Sequence, residues 1–227
     1  MKLILVRHGH PDYKNDCLTE LGHEQAEKAA VRLIEERIDE IYSSTCGRAY
    51  ETALHTSKRL SLPVTQLEFM REIKWGSPTG EEIYERGHPW HLADHGVSLG
   101  RSLWECTWAK TPPYGENVVF NAAESVARNA DLWLKELGYE REGDYYRVTT
   151  DNTEKSIALF SHGGSSSALI AHLFNLPFLY ICKTVRPDFT AITVIELIGK
   201  TGELIMPELK LVNDARHIKT ADATFQM

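Results

Sequence analysis

The chain is poor in residues that staple a fold covalently. Its 227 residues include only four cysteines, and Cys17, Cys46, Cys106 and Cys182 lie far apart with no C-x-x-C spacing. That excludes a dense disulfide framework and points to reduced thiols in a cytoplasmic protein. Long apolar runs are missing too. The opening "KLILV" holds four consecutive apolar residues after Lys2, too few for a secretory core, and nothing approaches the roughly 20 needed to cross a bilayer. No block of Lys or Arg stands out. The 25 basic residues face 32 acidic ones for a net charge of −7, so neither nucleic acid nor an anionic membrane is an expected partner. With no internal repeat, low-complexity tract or Gly/Ser linker, residues 1–227 read as a single domain, long enough to carry an inserted cap.

What is present is an alternation of strands and helices. Residues 2 to 7 form a short, partly β-branched apolar run that reads as a buried strand. From Thr19 to about Arg37 the spacing of Ala26, Ala29, Ala30, Leu33 and Ile34 predicts a helix, with Thr19 as its N-cap. "IDEIYSS" predicts a second strand, a helix starts near Ser44, and "PVTQLEF" follows as a third strand. Between about 75 and 115 the pattern changes, because Trp75, Trp90, Trp104 and Trp108 are mixed with glycine, proline and histidine. This stretch is the expected cap. A helix through Val119, Val126, Trp133 and Leu137 then ends at Gly138. "DYYRVTTDNTEKSIALFSHGG" reads as strand, turn and strand, followed by helices from about Ser165 and near Leu179 and by two β segments, "TAITVIELI" and "ELIMPELKLV". The expected fold is a three-layer α/β/α sandwich with a mainly parallel central sheet.

Two strands end abruptly in chemistry. The first runs into Arg7, His8, Gly9 and His10, and the late one into Ser161, His162, Gly163 and a second glycine. Neighbouring parallel strands present their C-terminal ends to one crevice, so these histidines can meet. A glycine after each lets a ligand approach the backbone, and a helix start there attracts an anion. Arg48, in the first turn of the second helix, can bring a second guanidinium beside Arg7. Such a site suits phosphate.

"LVRHG", "YSSTCGRAYETA", "EFMREIKWG", "FSHGG" and "LVNDARHI" resemble, in that order, the histidine phosphatase superfamily, also called the phosphoglycerate mutase-like group. The resemblance implies that His8 is the nucleophile that becomes phosphohistidine. It implies that Arg7, Arg48 and His162 hold the phosphoryl oxygens, beside Gly9 and Gly163, and that Glu72 protonates the leaving oxygen, with Glu81 and Glu82 as rival acids. It calls for no metal and no cofactor, and for a phosphorylated small molecule as substrate. The chemistry agrees. A histidine attacks phosphorus only when neutral, and nearby arginines disfavour its charged form.

The chain departs from the family after the first glycine. His10 stands where an acid is common, and Asn15 stands in for a phosphate-contacting asparagine. The longer loop by which a mutase retains a bisphosphate is not recognisable, which favours a phosphatase over a phosphomutase. A phospho-ligand binding module is the reading from a different class, and the intact nucleophile and acid argue against it. His8, His10 and Asp12 alternate along an extended segment and so admit a metal site, but the resemblance explains His8 without one. In the cap, His88, His91 and His95 fall on one helical face, where a solvated or aromatic-packed face competes with contact to an anionic substrate. Arg186 is a candidate second anion contact, and an edge strand or the aromatic cap could support a homodimer.

Overall fold

Strand β1 (Lys2–Arg7) has no polar face because both of its faces are covered. The computed structural model describes residues 1–218, and in it Leu3 and Leu5 enter one apolar core while Ile4 and Val6 enter another on the opposite side of the sheet. The late strand repeats this, with Ile157 and Leu159 on the first side and Ala158 and Phe160 on the second. A continuous apolar run is what a strand sandwiched between two helical layers needs.

In chain order β1 is followed by a small hairpin, β2 (Pro11–Asp12) and β3 (Cys17–Leu18), then α1 (Glu20–Leu33), β4 (Glu40–Ser44), α2 (Gly47–Leu60) and β5 (Val64–Leu67). The cap segment contributes α3 (Pro89–Ser98). After it come α4 (Val119–Glu136), β6 (Tyr139–Glu142), β7 (Tyr145–Val148), β8 (Ser156–Ser161), α5 (Gly163–Leu173), α6 (Phe178–Thr184), β9 (Ile192–Glu196), β10 (Leu204–Ile205) and β11 (Glu208–Asp214). The main sheet has the order β11-β9-β1-β8-β4-β5. Its middle is parallel, since β8 pairs parallel with both β1 and β4, and β4 with β5. Strands β9 and β11 close one side antiparallel.

Local chemistry sets the element ends. The Thr19 side chain accepts a hydrogen bond from the Gly22 N–H at 3.1 Å and caps α1, and Gly138 takes φ +90° just past α4, a conformation that disfavours residues with a Cβ. Helix α2 begins three residues later than Ser44 because Ser44 Oγ accepts the Cys46 N–H at 3.1 Å and turns the chain first. Two β features differ from the sequence expectation. "YERE" forms β6, a polar strand paired antiparallel with β7. "ELIMPELKLV" splits at Pro207, so that β10 joins β7 in a small second sheet and β11 joins the main one.

The segment expected as the cap is held at both ends. Asn117 accepts the Gly76 N–H at 3.0 Å and donates to the Gly87 carbonyl at 2.7 Å. Helix α3 packs through Leu92 and Ala93 against Leu179 and Cys182 of α6. Asp94 adds ion pairs of 2.6 Å each to Lys183 and Arg186. Among the described residues no helix is long and apolar enough to cross a membrane.

Candidate active site

Because β1, β8, β4 and β5 lie side by side and parallel, their C-terminal ends form one continuous edge. His8 follows β1, His162 follows β8, Arg48 lies in the first turn after β4, and Glu72 comes shortly after β5. The topology therefore collects residues from four separate stretches of sequence.

His8 is buried, 1% exposed, and its Nδ1 lies 2.7 Å from the Gly9 carbonyl oxygen. A carbonyl only accepts, so Nδ1 carries the proton and Nε2 keeps its lone pair. Burial first, then the charges of Arg7 and Arg48, push the imidazole down to about 3, against the Gly9 bond and Asp16, which push it up. At neutral pH His8 is an uncharged base. Its backbone is tied as well. The His8 N–H donates to Ser161 O at 2.9 Å, and the Gly9 N–H donates to Thr52 Oγ1 at 3.0 Å.

The cations around His8 are individually anchored. Arg7 Nη1 donates to Pro187 O at 2.7 Å, and its guanidinium lies 4.3 Å from the centre of the Phe189 ring. Arg48 Nη1 pairs with Asp16 Oδ1 at 2.5 Å and sits 5.4 Å from the Tyr13 ring centre. The His162 ring is 5.2 Å from that of His8, and its Nε2 lies 2.8 Å from Ser44 Oγ. Since Ser44 Oγ already accepts from Cys46, its own proton can go to Nε2, which leaves His162 Nδ1–H facing no partner. Among the site residues named so far, Arg7 Nε, Arg48 Nε and His162 Nδ1 are buried without a partner. Folded proteins rarely bury polar atoms without partners, so a cluster of them marks where a polar ligand belongs.

Glu72 Oε1 accepts from the Gly164 N–H at 3.0 Å and the Ser165 N–H at 3.3 Å, at the start of α5. Part of the side chain reaches the surface, yet burial of the carboxyl raises its pKa against the pull of those N–H groups and of Arg48 and Arg7. A carboxyl held protonated above the usual glutamate range can give up a proton.

The structure thus brings together Arg7, His8, Arg48, Glu72 and His162, with Gly9 and Gly163 alongside. A Cβ on Gly163 would come within 2.5 Å of the Trp90 ring, which packs onto this glycine from the cap. Asn15 lies elsewhere: it is exposed and its amide donates to Asp12 Oδ2 at 2.7 Å. The acid beside Arg48 is the next residue, Asp16, whose φ of +50° turns it inward to accept the Gly47 N–H at 2.9 Å. His10 is half-buried, 2.9 Å from Thr19 Oγ1 and edge-on to Phe189. Glu81 and Glu82 are exposed. In the cap, His88 contacts the rings of Trp75, Trp90 and His91, and His95 stacks on Tyr84 at 4.1 Å. The aromatic-packed reading of these histidines matches those contacts. Sequence reasoning missed Asp16, Ser44, Tyr13 and Phe189 as neighbours of the site. A left-handed turn and ring contacts between distant loops leave no periodic signal.

A family model described as histidine phosphatase superfamily (branch 1) matches residues 3–208. Glucosyl-3-phosphoglycerate phosphatase of Mycobacterium tuberculosis is 30% identical over 190 residues, covering 78% of this chain and 76% of the relative. A putative phosphoserine phosphatase 2 of Hydrogenobacter thermophilus is 24% identical over 213 residues, covering 90% and 93%. Among solved structures, the mycobacterial glucosyl-3-phosphoglycerate phosphatase with inorganic phosphate superposes with a TM-score of 0.65 at 28% identity, covering 96% of this chain and 99% of that one. Phosphoserine phosphatase from Entamoeba histolytica, in complex with 3-phosphoglyceric acid, shares the fold with a TM-score of 0.64 at 21% identity, covering 96% and 99%.

Proposed function

Since the chain belongs to branch 1 of the histidine phosphatase superfamily, we propose that it hydrolyses phosphate monoesters of small molecules through a phosphohistidine at His8. The observation that carries this reading is the neutral His8, with Nε2 bare, inside a group of buried polar atoms that lack partners. In the first step His8 Nε2 attacks phosphorus and the bond from phosphorus to the ester oxygen breaks. Glu72 passes its proton to the departing oxygen. Arg7, Arg48 and His162 hold the phosphoryl oxygens, where charge on the transferring group is stabilised without reorganisation of solvent. In the second step the Glu72 carboxylate takes a proton from the water that attacks phosphohistidine. Inorganic phosphate leaves and both groups are restored.

Asp94 accepts from both Lys183 and Arg186, and Arg186 adjoins Pro187, whose carbonyl anchors Arg7. To Arg186 we assign a second anionic group on the substrate, such as a carboxylate. The four free thiols support a reducing compartment and the net charge of −7 a small-molecule partner rather than nucleic acid; the segment 75–115 serves as the cap that closes over the leaving group.

The test is release of phosphate from p-nitrophenyl phosphate, phosphoserine and 3-phosphoglycerate by the wild type and His8→Ala, without added metal. Loss of all three activities in the variant is expected, and equal rates would sink the assignment. Arg186→Ala should raise KM for the two carboxylated substrates and leave p-nitrophenyl phosphate unchanged.

A further inference from the structure

The motif "LVNDARHI" covers the end of β11 and the turn after it, and the ladder between β11 and β9 breaks there. Leu211 pairs with Val194 and Asp214 with Ile192, so β11 takes three steps where β9 takes two. The extra residue makes a bulge, and Asn213 inside it adopts φ +52°. A bulge re-aims a side chain that would otherwise follow the pleat of the sheet. Here the Asn213 amide meets the loop 186–190.

Asn213 grips that loop on both sides of Pro187. Its Oδ1 accepts the Asp188 N–H at 2.7 Å, and its Nδ2 donates to the Arg186 carbonyl at 3.1 Å. Four residues on, His217 Nε2 lies 3.0 Å from Thr190 Oγ1. Thr190 is fully buried with φ +54°, a left-handed conformation that is an outlier for a β-branched side chain and persists only where its surroundings enforce it. The same loop reaches the site. Pro187 O accepts from Arg7 Nη1, the Phe189 ring lies against Arg7 and His8, and the Thr190 N–H donates to His8 O at 3.3 Å.

We propose that Asn213, His217 and Thr190 are positioning residues for phosphoryl binding: they fix the 186–190 loop, and through Pro187 and Phe189 the loop fixes the Arg7 guanidinium beside His8. The inference rests on the reading of Arg7 and His8 as the phosphoryl site. A guanidinium on a long stem loses rotamer freedom when it grips a phosphate, and a carbonyl already fixed in place removes that cost in advance. Charge aimed before the reaction is also what a transferring phosphoryl group requires. Three hydrogen-bonding groups from the far end of the chain thus serve a side chain at its beginning.

The experiment titrates the full chain with inorganic phosphate, followed by ³¹P NMR so that binding is read without turnover, and records a thermal midpoint for each protein. Asn213→Gly keeps a residue suited to the left-handed backbone and removes the amide; Thr190→Val removes the hydroxyl, and Thr190→Ser keeps it. The Kd for phosphate should rise at least about twofold in Asn213→Gly and in Thr190→Val, the lower end of coupling within one hydrogen-bond network. Thr190→Ser should lie nearer the wild type than Thr190→Val. An Arg7→Ala background separates positioning from folding. There Asn213→Gly and Thr190→Val should still lower the thermal midpoint, yet most of their effect on the phosphate Kd should vanish. An equal rise in both backgrounds, or no rise with Arg7 in place, would overturn the proposal. A wild type that binds phosphate but does not turn over p-nitrophenyl phosphate would refute the phosphatase reading alone, and one that binds no phosphate would refute both.

Discussion

Acidification should cost this protein stability at His8 in particular, and the size of the loss follows from its surroundings. An unfolded histidine titrates near 6.5, whereas His8 in the folded chain is pushed down to about 3 by burial and then by Arg7 and Arg48. Below 6.5 the unfolded state binds the proton that the folded state refuses, so protons favour unfolding. The contribution is complete above about pH 7.5 and is lost as pH falls through 6.5 toward the folded value. At pH 5 the difference amounts to about 2 kcal/mol, from the ratio of protonated unfolded to unprotonated folded histidine. Urea denaturation of the wild type and His8→Gln at pH 7.5 and at pH 5 isolates this one residue. His162, also held well below its ordinary value by burial, is present in both proteins and cancels to first order. The wild type should lose about 2 kcal/mol more than the variant on going to pH 5. Equal losses would mean that His8 is not held neutral, and the argument for a ready nucleophile would fall with it.

Removing the proton on Glu72 should show itself through the leaving group. Glu72→Gln keeps an oxygen that can accept from Gly164 and Ser165, yet it should cost about 10²–10⁴-fold in kcat on an alkyl phosphate. p-Nitrophenyl phosphate should suffer far less, because nitrophenolate leaves without a proton. The alkaline limb of kcat/KM that belongs to this carboxyl, raised by burial, should vanish in the variant. Gly164→Ala tests the same acid by geometry: its Cβ would stand 2.6 Å from Glu72 Oε1. It should reproduce the leaving-group dependence with Glu72 still present, and a uniform loss on both esters would argue against the assignment. Asp16→Asn removes the carboxylate that competes with phosphate for Arg48. The inhibition constant of inorganic phosphate should fall about twofold to fivefold, the worth of a partly exposed ion pair.

The strands and helices that frame the site were legible because each carries one dominant signal. "LILV" is too short for a helix and too apolar for a surface, and both faces of β1 are in fact buried. Thr19 stands where a capping hydroxyl is needed, and Gly138 where a left-handed residue is. Strand β6 was not legible, since "YERE" lacks the β-branched pattern of a strand and is held by its pairing with β7. Around His8, the arginines and His162 follow apolar strands or a helix start, and the residues of the loop do not. Asn15 and Asp16 are adjacent and similar in the sequence, and only the positive φ at Asp16 decides which of them turns to Arg48. The contacts of Phe189 with Arg7, His8 and His10 join segments about 180 residues apart, a distance over which spacing says nothing.

The central claim is covalent chemistry at one nitrogen. Rapid quenching of the enzyme in alkali during turnover of p-nitrophenyl phosphate, followed by proteolysis and mass spectrometry, reads it directly. A single phosphoryl group on the peptide that carries His8, stable to base and labile to acid, is the expected result. Phosphate on another residue, or steady turnover with no phosphoenzyme trapped at any time, would contradict it.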